Sequence, residues 1–127
     1  MKKSILYIVL VFATVIFSGC EKVIDVDLNN AEPKLVIDAV IKWQKGTTGE
    51  EQVIKLSLTN DFFTNEILPA NGASVTITNS VDETFTFLED GTTGNYICSN
   101  FNPVIGETYT LVVIYDGEIY TATNPLM

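Results

Sequence analysis

The sequence predicts an all-β antiparallel sandwich of about seven to eight strands over residues 34–127, preceded by a cleaved signal peptide. Three observations predict it. After residue 20 the apolar side chains recur with period two, and no stretch carries the period of a helix. Threonine, aromatic and β-branched residues dominate the alternating segments, as suits a pleated, half-buried surface. Gly, Asn, Asp and Pro punctuate those segments at short intervals, the spacing of a sandwich.

The strands follow in chain order. Residues 23–28 alternate Ile24, Val26 and Leu28 against Asp25 and Asp27. Residues 35–43 place Leu35, Ile37, Ala39, Ile41 and Trp43 on one face. Residues 53–59 turn Ile54, Leu56 and Leu58 inward and Lys55 and Ser57 outward. Residues 73–78 set Val75 and Ile77 against Ser74, Thr76 and Thr78, and residues 84–88 contribute Phe85 and Phe87. Residues 95–98, 108–115 and 118–123 complete the set.

Asp116-Gly117 fits a two-residue type I′ turn, whose twist matches the strands it joins. That register sets Val113 opposite Tyr120 and Leu111 opposite Ala122, all on one face. Gly91 and Gly94 serve a longer hairpin between Phe87 and Tyr96, and Gly46 and Gly49 another between Trp43 and Val53. Residues 60–72 form the longest connection and carry Phe62, Phe63, Ile67 and Leu68. These are expected to fold back over an open edge of the sandwich, in preference to forming a binding loop.

Composition excludes several functions. The chain has no His and no Arg. Ser-His-Asp and Cys-His catalysis within the chain are ruled out, and the commonest transition-metal ligand is missing. Once residues 1–19 are removed, five Lys face sixteen Asp and Glu, a side-chain charge of −11. Nucleic acid is therefore not an expected partner. Cys98, on the strand at 95–98, reads as a buried and inert thiol.

No catalytic, metal or cofactor residue is identified. Asp25-Val26-Asp27-Leu28-Asn29 imitates the opening of an EF-hand loop but lacks the glycine at Asn30 and the bidentate acid at Val36. A calcium site drawn from separate loops through Asp61, Asp82 or Asp90 is the alternative. A sugar-stacking platform of Trp43 with Tyr96, Tyr109 or Tyr120 is weighed against the alternation, which gives Trp43 a core role.

The amino terminus supplies an address. Lys2 and Lys3 precede an apolar run from Ile5 to Phe17 whose one polar side chain is Thr14. Thirteen residues rise about 20 Å as a helix, short of the ~30 Å of hydrocarbon in a bilayer. Phe17-Ser18-Gly19-Cys20 then resembles the lipobox of bacterial lipoproteins, with Phe17 in the place of the usual leucine. This reading is preferred to an ordinary secretory signal with an incidental cysteine. It implies cleavage between Gly19 and Cys20, and lipidation of Cys20 through sulfur. Residues 20–33 are then a lipidated tether holding the candidate first strand, able to reach about 40 Å if extended. Glu21 in place of Asp after the cysteine implies the outer membrane, on its periplasmic side or at the cell surface.

The order of short motifs carries a family resemblance. After the lipobox come Val26-Asp27-Leu28, then Glu32-Pro33-Lys34-Leu35-Val36-Ile37-Asp38-Ala39, then Gly72-Ala73-Ser74-Val75-Thr76-Ile77. Gly94-Asn95-Tyr96, Gly106-Glu107-Thr108-Tyr109-Thr110-Leu111 and Tyr120-Thr121-Ala122 follow. This resembles the amino-terminal part of the domain of unknown function 4249 family, lipoproteins of Bacteroidota. The resemblance implies an immunoglobulin-like sandwich in an outer-membrane lipoprotein, associated with TonB-dependent receptors. It implies no catalytic residues, and it implies a larger second region following the sandwich. The functional expectation is a non-enzymatic binding or accessory module, held to the membrane by its lipid. A carboxylate-dependent hydrolase and a structural or adhesive sandwich are the alternatives.

Overall fold

The computed structural model describes residues 1–15, 32–60 and 65–127. The expected strand at 23–28, the cleavage site at Gly19 and Cys20, and Asp61, Phe62 and Phe63 lie outside the described residues. Helix α1 spans Lys2–Val15 and exposes its apolar side chains from Ile5 to Val11. No helix among the described residues is long and apolar enough to cross a membrane.

The rest is strand and loop. The strands are β1 (Leu35–Ala39), β2 (Gln52–Leu58), β3 (Leu68–Pro69), β4 (Ser74–Asn79), β5 (Thr84–Glu89), β6 (Asn95–Cys98), β7 (Thr108–Tyr115) and β8 (Glu118–Pro125). All pairings are antiparallel, in the order β1-β2-β6-β5-β4-β7-β8, with β3 on β2. The sandwich-like form comes from one sheet curling on itself. Strand β5 makes the bend: residues from Thr84 to Phe87 pair with β4, while Leu88 and Glu89 pair with β6.

The inward positions of both halves meet in one core. Ile54 and Leu56 of β2 and Tyr96 and Cys98 of β6 are buried from one side. Val75 and Ile77 of β4 and Tyr109 and Val113 of β7 are buried from the other. Phe85 and Phe87 of β5 join them. Phe101, from the loop after β6, is fully buried among rings, with centroids 4.6 Å from Phe85 and 5.3 Å from Tyr109. Tilted aromatic pairs of this kind contribute about 0.5–1.5 kcal/mol each beyond area burial. The Phe101 amide donates to the Glu50 carbonyl at 3.0 Å, which fixes that loop against the approach to β2.

Two buried tyrosines tie connections to the sheet. The Tyr96 hydroxyl donates to the Ala70 carbonyl at 2.9 Å and accepts from the Ala73 amide at 3.0 Å. It thereby fastens the link between β3 and β4. The Tyr109 hydroxyl accepts from the Val104 amide at 2.8 Å and donates to the Asn102 carbonyl at 3.1 Å, a tyrosine corner of the kind sandwiches use.

The β7–β8 hairpin has the expected register, Val113 with Tyr120 and Leu111 with Ala122, and positive φ at both Asp116 and Gly117. The face is less buried than expected, because β8 is a terminal strand and Ala122 is exposed. Within the 60–72 connection, Leu68 pairs with Leu58 and is half-buried, as a segment covering an edge would be, whereas Ile67 is exposed.

Trp43 departs from expectation. Strand β1 stops at Ala39, so the alternation beyond it no longer describes a sheet face. Trp43 is 48% exposed, and its indole donates to the Thr47 carbonyl at 3.2 Å within its own loop. The physical reason lies in Gln52. Its side-chain amide accepts from the Lys42 amide at 2.8 Å and donates to the Lys42 and Gly49 carbonyls at 2.7 and 2.8 Å. A buried side chain thus takes the bonds a strand partner would have made, and the chain leaves the sheet.

Candidate binding cleft at the open seam

Among the described residues, the curled sheet does not close. Its two terminal strands, β1 and β8, line the same cleft, a cavity of about 540 Å³. Ile37 and the following Val40 and Ile41 form one wall, and Tyr120, Ala122 and Pro125 the other. Ile77, Phe87 and Leu111 lie between them. Inward positions of the strands supply part of this lining at the edges of the sheet, where no layer opposes them, and Val40 and Ile41 join it from beyond the end of β1. A cavity of this size lies in the range of ligand sites, which are mostly apolar with few polar groups.

Gln52, Tyr109 and Tyr120, three of the polar residues along the cleft, are already engaged, while Thr121 and Asn124 line it as well. The Gln52 amide is committed to Lys42 and Gly49, and the Tyr109 hydroxyl to Val104 and Asn102. The Tyr120 hydroxyl donates to a Glu118 carboxylate oxygen at 2.6 Å, and that hydrogen bond to an acceptor holds the phenol above its ordinary pKa. Among the described residues, every buried side-chain nitrogen and oxygen has a partner. Among the described residues, no Asp or Glu lines the cleft. No group of three or more metal-ligating side chains occurs among the described residues, Asp82 and Asp90 included. Chemically, the cleft can exclude water and recognise shape. Among the described residues it presents no carboxylate, thiol or amine.

The sequence-derived candidates disperse. Cys98 is buried, its thiol donating to Asn100 Oδ1 at 3.1 Å, as the alternation anticipates. Of the four rings weighed as a stacking platform, Tyr109 and Tyr120 line the cleft, while Tyr96 lies in the core and Trp43 in the 43–49 loop. The cleft itself was not legible beforehand, because it depends on which strands end the sheet. Gln52 was missed as well. Its one signal was a polar residue at an inward position, two before Ile54.

Fold and cleft together define an all-strand, sandwich-like module with an apolar slot along its unclosed seam. A family model described as a domain of unknown function (DUF4249) matches residues 21–125, and the chain belongs to that family. No curated protein and no solved structure matches the chain.

Proposed function

We propose that this chain is a lipid-anchored outer-membrane lipoprotein that acts as a binding or accessory module of a TonB-dependent uptake system. The observation that carries the binding reading is the apolar cleft between β1 and β8, which has hydrophobic walls and, among the described residues, no carboxylate in its lining. Such a surface supports recognition over carboxylate chemistry. The anchor reading rests on Lys2 and Lys3, on the short apolar helix Lys2–Val15, and on Cys20 following two small residues. One acyl chain alone binds membranes reversibly, so the stable anchor of this type uses several. Tethering then raises the module's effective concentration at membrane partners.

Two experiments test this. Metabolic labelling with radioactive palmitate is expected to mark the wild-type chain and not the Cys20→Ala variant. Label persisting in the variant, or a native chain that keeps residues 1–19, would refute the anchor. Crosslinking in intact cells, followed by purification of the chain, is expected to recover an outer-membrane receptor. Its repeated absence, with the crosslinked chain itself recovered in good yield, counts against the accessory role.

A further inference from the structure

Asn71-Gly72 is the one Asn-Gly pair in the chain. Glycine has no side chain to shield its amide nitrogen, so that nitrogen can reach the carboxamide of a preceding asparagine. Both residues are exposed, on the short link between β3 and β4. Gly72 stands at φ +79°, and a methyl group there would meet nothing within 4 Å. Among the described residues, no hydrogen bond holds the Asn71 side chain. Asn79 makes the contrast. It is buried, its Oδ1 accepts from the Val81 and Glu83 amides at 3.2 and 2.8 Å, and its Nδ2 donates to Glu83 at 3.3 Å.

The Gly72 amide is itself held. It donates to both carboxylate oxygens of Glu89 at 3.1 Å. Its nitrogen becomes a nucleophile only on giving up that proton. A hydrogen bond made by the protonated amide, and a negative charge beside the nitrogen, both oppose the loss.

We propose that Asn71 is a site of spontaneous modification by water, turned to isoaspartate and aspartate through a succinimide, with Glu89 as the restraint on its rate. Gly72 N gives its proton to hydroxide and bonds to Asn71 Cγ. The Cγ–Nδ2 bond breaks, and the nitrogen leaves as ammonia after taking a proton from water. Water then opens the imide. Addition at Cγ breaks the new bond and leaves aspartate. Addition at the backbone carbonyl carbon leaves the chain running through Cγ, as isoaspartate. In sum one water enters and one ammonia leaves, with nothing oxidised or reduced. Isoaspartate adds one backbone atom between Ala70 and Ala73, whose carbonyl and amide share the Tyr96 hydroxyl. The modification therefore acts where β3 is fastened to β4.

The test ages the purified full chain, wild type and Glu89→Gln, at mildly alkaline pH in heavy-oxygen water. Released ammonia is measured, and electron-transfer mass spectrometry of the peptides reads each asparagine. Asn71 is expected to take up heavy oxygen as a mixture of isoaspartate and aspartate, while Asn79 keeps its amide. Glu89→Gln removes the charge and is expected to speed the change at Asn71 at least about threefold, with circular dichroism near wild type. Glu89→Ala removes the acceptor as well and is expected to speed it too. In urea that unfolds every variant, the rates are expected to coincide, because the restraint is a contact of the fold. An Asn71 unchanged in all the folded chains, or aspartate without isoaspartate, overturns the site. Folded Glu89→Gln and Glu89→Ala reacting no faster than wild type, or rates that still differ in urea, overturn the role of Glu89.

Discussion

Single hydroxyls do much of the fastening here. Replacing Tyr96 by Phe leaves the Ala70 carbonyl and Ala73 amide without their partner at a fully buried site. The expected loss is about 1–3 kcal/mol, read from urea unfolding. The same phenols predict a pH dependence. Burial is the main cause raising both Tyr96 and Tyr109 above the ordinary value of 10.0. The unfolded chain therefore releases these protons first as pH rises. Stability is intact below about pH 10 and falls above it, toward the raised folded-state values. Urea midpoints measured across that range should fall less steeply in the Tyr96→Phe and Tyr109→Phe variants than in wild type. At this scale the sequence is informative where a side chain keeps to its strand: Cys98, Phe85 and Phe87 are buried as alternation requires. It is silent where one side chain replaces a strand partner. Nothing local to Trp43 tells that Gln52, nine residues later, will draw Lys42 out of the sheet.

Turns and pairings show the same division between local and distant causes. The β7–β8 hairpin is legible to the residue, because Asp-Gly sets both turn type and register. Strand β3 is not, since Leu68 and Pro69 become a strand only by lying on Leu58 and Ser57, where β6 has ended. Two glycines separate strain from crowding. Gly117 and Gly94 share a φ near the left-handed region, at +79° and +74°. Around Gly117 a methyl group meets nothing within 4 Å. At Gly94 it would strike the Leu56 carbonyl oxygen and lie 3.0 Å from Pro69 Cβ, at the junction of β2, β3 and β6. Gly117→Ala is expected to cost about 1 kcal/mol through backbone strain alone. Gly94→Ala should exceed it by at least about 1 kcal/mol, because backbone atoms must also move. Comparative chemical denaturation checks the order. Equal losses would mean that the junction yields freely.

For the whole molecule, the excess of acid sets a background repulsion. With a net charge of −9, the urea midpoint is expected to rise as sodium chloride screens the surface, then to level once the Debye length falls to about 3 Å. A midpoint insensitive to salt would mean that the carboxylates are too dispersed to matter. The sequence disclosed an all-strand body and most of its elements. It could not disclose that one strand bends the sheet or that β1 and β8 flank a common opening, because both facts arise from strand order. That bend has a kinetic consequence. Since β5 hydrogen-bonds to both β4 and β6, neither half is a separable folding unit. Amide protons of β2, β6, β4 and β7 should exchange together, through global unfolding, while those of β1 and β8 exchange earlier. The molecule is expected to open first on the side opposite its shared strand, widening the mouth of the slot and leaving the aromatic centre undisturbed.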